Sequence, residues 1–157
     1  MKRMMRLLSL ALCLMLVQQT AFAAIPEDYV VRHGDRESKK IAITVDDGWN
    51  MDAVYKIHEL SIELDFPVTW FIGHYMNSEK NFLPIFYAHG VEKVVLWDVA
   101  QTEPYQAFRD TQNGSILLYH ARMADYECLK TLIPMLRDAG FEFVTVSDLL
   151  GLEPLVL

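Results

Sequence analysis

Short runs of β-branched and aromatic residues alternate along this chain with stretches of helical periodicity, and that alternation limits the fold more than any other feature. Strands are expected at Ile41 to Val45, Pro67 to Ile72, Lys93 to Val99, Ser115 to Tyr119 and Glu142 to Val146. Between the first two, Val54, Ile57, Ser61 and Leu64 recur at helical spacing behind Asn50, an N-cap residue, with Asp52 in the first turn. Before the last strand, Leu129, Leu132, Ile133 and Leu136 form an i, i+3, i+4, i+7 stripe that Gly140 closes. Strands separated by helices imply a mainly parallel α/β sheet, because a parallel neighbour needs a crossover. Apolar runs such as "VVLW" imply cover on both faces. In the middle, one helix is expected around Phe82 to Ala88, with Pro84 in its first turn.

The amino terminus reads as a leader. Lys2, Arg3 and Arg6 precede an apolar run from Leu7 to Val17, and "AFA" at Ala21 to Ala23 has the small-x-small pattern of a cleavage site. The run is shorter than the roughly 20 residues a spanning helix needs. A signal peptide is therefore expected over residues 1–23, then an irregular lead over 24–38 and a single domain over 39–157. The chain would be exported, to the cell envelope or beyond. A retained N-terminal anchor is the competing reading. Of 14 basic residues 11 lie beyond the leader, against 21 acidic ones, for a net charge near −10. Nucleic acid is excluded as a partner, since its binding depends on Lys and Arg at phosphates. Cys13 lies inside the leader, so Cys128 is left without a disulfide partner and reads as a helix-packing residue.

The first strand runs directly into Asp46 and Asp47, followed by Gly48 and Trp49. In parallel α/β sheets, ligands and reacting groups gather beyond the carboxyl ends of strands. His120 follows "SILLY", and Asp98 with Trp97 lies near the end of another strand, so three strand ends carry titratable groups. Adjacent buried carboxylates repel, and a divalent cation would relieve that repulsion. Successive side chains diverge near a strand end, so one carboxylate can hold a cation while its neighbour faces a reacting water, with His120 as proton donor. The competing reading makes Asp46, Asp47 and Gly48 a solvated turn or helix-capping cluster.

Several segments carry a resemblance. "IAITVDDGWN" is similar to the first motif of the polysaccharide deacetylases, the NodB-homology family or carbohydrate esterase family four, usually T-F-D-D-G after a short strand. "PVTWFIG" (67–73), "EKVVLWDV" (92–99) and "NGSILLYHA" (113–121) resemble later motif strands, and "TLIPMLRDAGFEFVTVSDLL" (131–150) follows in the expected order. The resemblance implies an incomplete or distorted (β/α) barrel of the NodB type, with about five mainly parallel strands. It implies removal of acetyl groups from acetylated polysaccharide or peptidoglycan with a divalent metal, zinc above all. By motif position Asp46 would be the general base, Asp47 a metal ligand and His120 the general acid. Leu118 would line the acetyl pocket. Apart from the resemblance, Trp97, Trp49 and Trp70 could bind substrate by stacking on sugar rings, with packing inside the strand layer the competing reading for Trp70.

The chain departs from that pattern. The family's second motif, H-S/T-x-x-x-H, is absent: the histidines are His33, His58, His74, His89 and His120, with no two three to five residues apart. The third motif, an R-x-P-y-G-like loop, is absent too, as though a block had been removed near His89 to Glu92. The acid of the fourth motif would fall where Ala100 and Gln101 stand, and Ala121 replaces the usual Asp after His120. A zinc site needs three or four protein ligands, and only His74 and His89 offer substitutes for the missing pair. His58 reads as a structural helix residue and His33 as exposed. Five strands leave sheet edges open, which a homodimer would cover. Tyr75, Met76, Phe82, Phe86 and Tyr87 beside the gap serve either core or interface. Three readings follow: a weak or impaired deacetylase, an inactive binder of glycan or protein, or a shortened gene product.

Overall fold

The computed structural model describes residues 25–48, 50–71 and 93–152. At its centre stands strand β2 (Lys40–Asp46), whose residues Ile41 to Val45 are all buried. It has parallel neighbours on both edges. Along one runs β5 (Ile116–His120), pairing Ala42 with Ile116 through Asp46 with His120. The other edge is shared: β6 (Glu142–Val144) pairs with Lys40–Ala42, and β3 (Val68–Phe71) pairs with Ile43–Asp46. A short lead strand β1 (Val30–Val31) pairs in parallel with β4 (Val94–Val95) as a second sheet. The chain leaving β4 reaches the outer edge of β5, where Val99 bridges Leu117 and accepts the Leu118 N–H at 2.8 Å. This fold is α/β with mainly parallel strands, and the described strands do not close into a barrel. The outer edge of β5 is partly covered by the chain itself.

Side-chain alternation on β2 and β5 sends one set to each face of the sheet. Ile41, Ile43 and Val45, with Leu117 and Tyr119, pack under two helices. The first, α1 (Met51–Glu63), is capped by the Asn50 side chain, which accepts the Ala53 N–H at 3.3 Å, and buries Ala53, Ile57 and Leu60. The expected stripe thus lies one residue out of phase at its ends: Val54 and Leu64 are half-buried. Between β4 and β5 lies a short helix, α2 (Pro104–Asp110). Its Glu103 carboxylate accepts the N–H groups of Tyr105 and Gln106, and Pro104 occupies its first position. The long helix α3 (Met123–Asp138) buries Cys128, Leu129, Leu132, Ile133 and Leu136. Burying each such Leu or Ile contributes roughly 1.5–3 kcal/mol. Gly140, at φ 84°, follows it. On the opposite face Ala42 and Ile116 meet Val144, Val146 and Leu149, with Val95 and Trp97 packed against them.

Two expected strands are shorter in the structure. Lys93–Val99 pairs only at Val94–Val95 and again at Val99, because Asp98 turns its side chain to the Ile116 N–H (2.8 Å) and Ser115 Oγ (3.0 Å). Glu142–Val146 stops at Val144. There the Thr145 hydroxyl accepts the Asp148 N–H at 3.1 Å and starts a helical turn, α4 (Val146–Leu150), which Gly151 closes. The lead segment is held down: Tyr29 is buried, and Arg36 bonds Asp98 (2.7 Å) and the Asn113 carbonyl (2.7 Å). The helix expected at Phe82 to Ala88, the leader and Trp49 lie outside the described residues. Among the described residues no helix is long and apolar enough to cross a membrane.

Candidate active site at the carboxyl end of the central strand

Asp46 is the last residue of β2, with His120 opposite it on β5 and Phe71 opposite it on β3. Alternation places Asp46 on the face of Ala42 and Thr44, and His120 on the face of Ile116 and Leu118, away from α1 and α3. There Asp46 lines a cavity of about 110 Å³ together with Thr44, Phe71, Val95, Leu96, Trp97 and Leu118. The polar groups among these side chains are the Asp46 carboxylate, the Thr44 hydroxyl and the Trp97 indole N–H; the rest are apolar. Burial pushes the Asp46 carboxyl above its ordinary value; the His120 charge opposes that rise and the Asp47 charge adds to it. Asp46 is therefore a more basic carboxylate than a surface one.

Asp47 faces elsewhere. Its backbone is left-handed, at φ 63°, a conformation aspartate tolerates better than most residues. Its N–H bonds the Phe71 carbonyl at 3.2 Å, and the chain turns out of the sheet toward α1. The carboxylate lines a second, mainly apolar cavity of about 390 Å³ with Gly48, Met51, Val54, Tyr55, His58 and Trp70. The two adjacent carboxylates thus open onto different spaces. His58 is exposed and borders this second cavity, so it takes no part in the core packing expected of a structural helix residue.

His120 is fixed by its main chain. Its N–H bonds the Asp125 carboxylate at 3.1 Å, its carbonyl accepts the Arg122 N–H at 2.7 Å, and the Asp46 carbonyl accepts the next N–H, from Ala121, at 3.2 Å. Asp98, expected at the same rim, lies level with Ile116, about 13 Å down the sheet at the usual strand rise. Leu118 and Trp97 lie beside Asp46. His33 is exposed, with Nδ1 2.8 Å from the Gly34 carbonyl; His74 and His89 lie outside the described residues. Cys128 is buried in α3, with Sγ 3.8 Å from the Tyr119 hydroxyl.

Among the described residues no group of three or more His, Cys, Asp or Glu side chains comes close enough to hold a metal ion. Zinc needs three or four protein donors, so the described residues do not fit a zinc site. The residue that sequence reasoning missed is Asp125, fully buried in the first turn of α3, five positions after His120. An acid in the first turn ahead of an apolar stripe is in the sequence, but nothing there distinguishes a buried acid from one that faces solvent at a helix start.

With its central parallel strand, its helical layer and an acid facing a histidine at the strand ends, the chain has the NodB-type fold of the family 4 carbohydrate esterases. Among solved structures it is similar to a peptidoglycan N-acetylglucosamine deacetylase, with TM-score 0.68 and 14% identity over 85% of this chain and 98% of that one. It is similar to a family 4 pseudoenzyme from Bacillus anthracis, with TM-score 0.66 and 13% identity over 79% of this chain and 69% of that one. PdaA of Bacillus subtilis, a family 4 carbohydrate esterase, matches with TM-score 0.62 and 15% identity over 84% and 88%. No protein-family sequence model and no curated protein sequence matches the chain.

Proposed function

We propose that this chain is a polysaccharide deacetylase-like protein of the cell envelope. It takes the N-acetyl group of a peptidoglycan or related glycan into the cavity beside Asp46 and hydrolyses it slowly or not at all. The observation that carries this reading is the pairing of Asp46 with His120 at a small, mostly apolar cavity bordered by Leu118 and Trp97. Such a space has the size and polarity for an acetamido methyl, with Asp46 placed to accept from the amide N–H or from a water. His120, across the rung, would donate to the amide nitrogen if the C–N bond broke. The similarity in fold to both deacetylases and a pseudoenzyme accords with either outcome. The resemblance assigns Asp47 to a divalent metal, but no three-donor group surrounds it among the described residues, and no step here depends on one. Export would be directed by residues 1–23.

Calorimetry and acetate assay on the chain beginning at residue 24 test the reading together. N-acetylated chito-oligosaccharides are expected to bind, Asp46→Ala and Trp97→Ala to weaken binding at least tenfold, and acetate release to stay at background with or without added zinc. Release that requires both Asp46 and His120 would overturn the low activity. Absence of binding to every acetylated glycan offered would overturn the ligand.

A further inference from the structure

The Asp47 carboxylate has no partner among the described residues. Helix α1 is capped by the Asn50 side chain, which accepts the Ala53 N–H, so Asp47 does not cap it. No hydrogen bond and no ion pair among the described residues engages the Asp47 side chain. Nor does it gather two further described donors for a metal ion. It faces the cavity of about 390 Å³ beside α1, within the roughly 300–1,000 Å³ of small-molecule sites.

The cavity wall around that carboxylate is mainly apolar. Met51, Val54 and Tyr55 come to it from α1 and Trp70 from β3. Met51 is 51% and Tyr55 61% exposed, so this apolar surface is open to a ligand. No Lys or Arg is among the described residues lining it. Helix α1 carries Asp52, Glu59 and Glu63, and its one lysine, Lys56, lies 5.4 Å over the Tyr126 ring of α3 instead. His58, at the cavity's border, accepts a hydrogen bond through one ring nitrogen when neutral. An occupant must therefore cover apolar side chains and carry positive charge, because a neutral or anionic one would desolvate the carboxylate without pairing it. Tyrosine and tryptophan rings also attract cations over their faces. A methylene stem ending in an ammonium group meets both conditions.

We propose that the Asp47 cavity is a binding site for a primary alkylammonium group, as carried by a lysine-type side chain or a small diamine. The carboxylate takes the charged head, and Met51, Tyr55 and Trp70 cover the stem. This site is separate from the cavity at Asp46 and does not depend on what binds there.

The test is a titration of the nitrogen-15-labelled full chain with n-pentylamine, followed at the amides of Gly48, Val54 and His58. Saturable shifts are expected there, with n-pentanol weaker by about tenfold or more, the worth of a hydrogen bond to a charged group, and pentanoate without effect. Asp47→Asn removes the charge at a left-handed angle, φ 63°, that asparagine tolerates. It should bring n-pentylamine down to the level of n-pentanol and leave n-pentanol unchanged, whereas Tyr55→Ala should weaken both. Nα-acetyl-lysine methylamide and cadaverine separate the two sources: binding of the first points to a peptide side chain, binding of the second alone to a small free amine, and either supports the site. Equal affinity for amine and alcohol in the wild type would overturn the proposal. So would an unchanged amine affinity in Asp47→Asn, or shifts spread over Glu59 and Glu63 without saturation at Gly48. Should the variant not fold, the wild-type comparison of amine, alcohol and carboxylate still decides. No glycan is present, so failure to bind acetylated glycan would sink the proposed function and leave these outcomes untouched.

Discussion

Asp46 and Asp47 are adjacent in sequence and face different cavities, and one backbone angle separates them. Strand pairing holds Asp46 extended beside His120, whereas Asp47 at φ 63° swings out toward α1. The pair was visible in the sequence, and so was the divergence of its side chains; that Asp47 would border an apolar space with Tyr55, His58 and Trp70 depended on how α1 leaves the sheet. Asp125 was not visible, because an acid in the first turn of a helix ordinarily complements the helix dipole in solvent. Its burial makes a prediction about pH. Burial raises the Asp125 carboxyl above its ordinary value of 3.8, so in acid, where folded and unfolded chains both carry the proton, it costs nothing. As pH climbs past 3.8 the unfolded chain releases its proton first, and the wild type loses stability until the folded group has ionised too. Asparagine does not titrate. The melting temperature of Asp125→Asn minus that of wild type is therefore expected to be constant below about pH 3.8 and to grow through the window above it, then level off. Thermal unfolding from pH 3.5 to 8 checks this, and a difference independent of pH contradicts it.

Helices α1 and α3 cover the same face of the sheet, yet their sequences signal different things. For α1 the boundary was legible: Asn50 caps it as its side-chain chemistry demands. For α3 the stripe was legible: Leu129, Leu132, Ile133 and Leu136 are all fully buried. The short elements were not, since side chains rather than periodicity end them. Asp98 bonds the main chain of β5 and cuts β4 short, and Thr145 converts an expected strand end into the cap of α4. Helix α2 carries its signal in Glu103 and Pro104, but it is brief and buries only Ala107, so no stripe marks it. Cap and stripe should differ in energy. Asn50→Ala is expected to cost about 1 kcal/mol, the usual loss for an N-cap. Leu132→Ala, which empties a site with 0% exposure, is expected to cost about 2–5 kcal/mol. Urea unfolding of both variants measures the ratio, and a cap loss as large as the core loss would mean that α1 is held by its end rather than by Ile57 and Leu60.

The sheet and the lead segment are joined where Gly34 crosses Gly114, far from Asp46 and His120. Gly114 donates to the Lys40 carbonyl at 2.8 Å, and its own carbonyl accepts the Gly34 N–H at 2.7 Å, so one residue ties β2, the start of β5 and the lead together. Arg36 reinforces the junction through Asp98 and Asn113, and His33 bridges Ser115 beside it. The parallel α/β order was legible because each strand and helix carries its own period, whereas this junction is made of two glycines and polar side chains that no period marks. It can be isolated with two substitutions. Gly114 sits at φ 74°, and a Cβ there would come within 2.6 Å of the Asp35 carbonyl oxygen and 2.8 Å of the Gly34 carbonyl, all backbone that cannot rotate away. Gly151 has nearly the same left-handed angle, φ 63°, with nothing within 4 Å of its added Cβ. Gly151→Ala therefore measures the backbone strain alone, about 1–2 kcal/mol. Gly114→Ala bears the same strain and must also push the lead segment off β5, so its cost is expected to exceed that of Gly151→Ala by about 1 kcal/mol or more, in the range of overpacking. Hydrogen exchange should show the added loss at the amides of Gly34, Gly114 and Ser115, while those of α3 keep their protection. Equal costs for the two variants, with the lead amides still protected, would mean that the lead segment yields freely and contributes little to holding β2 against β5.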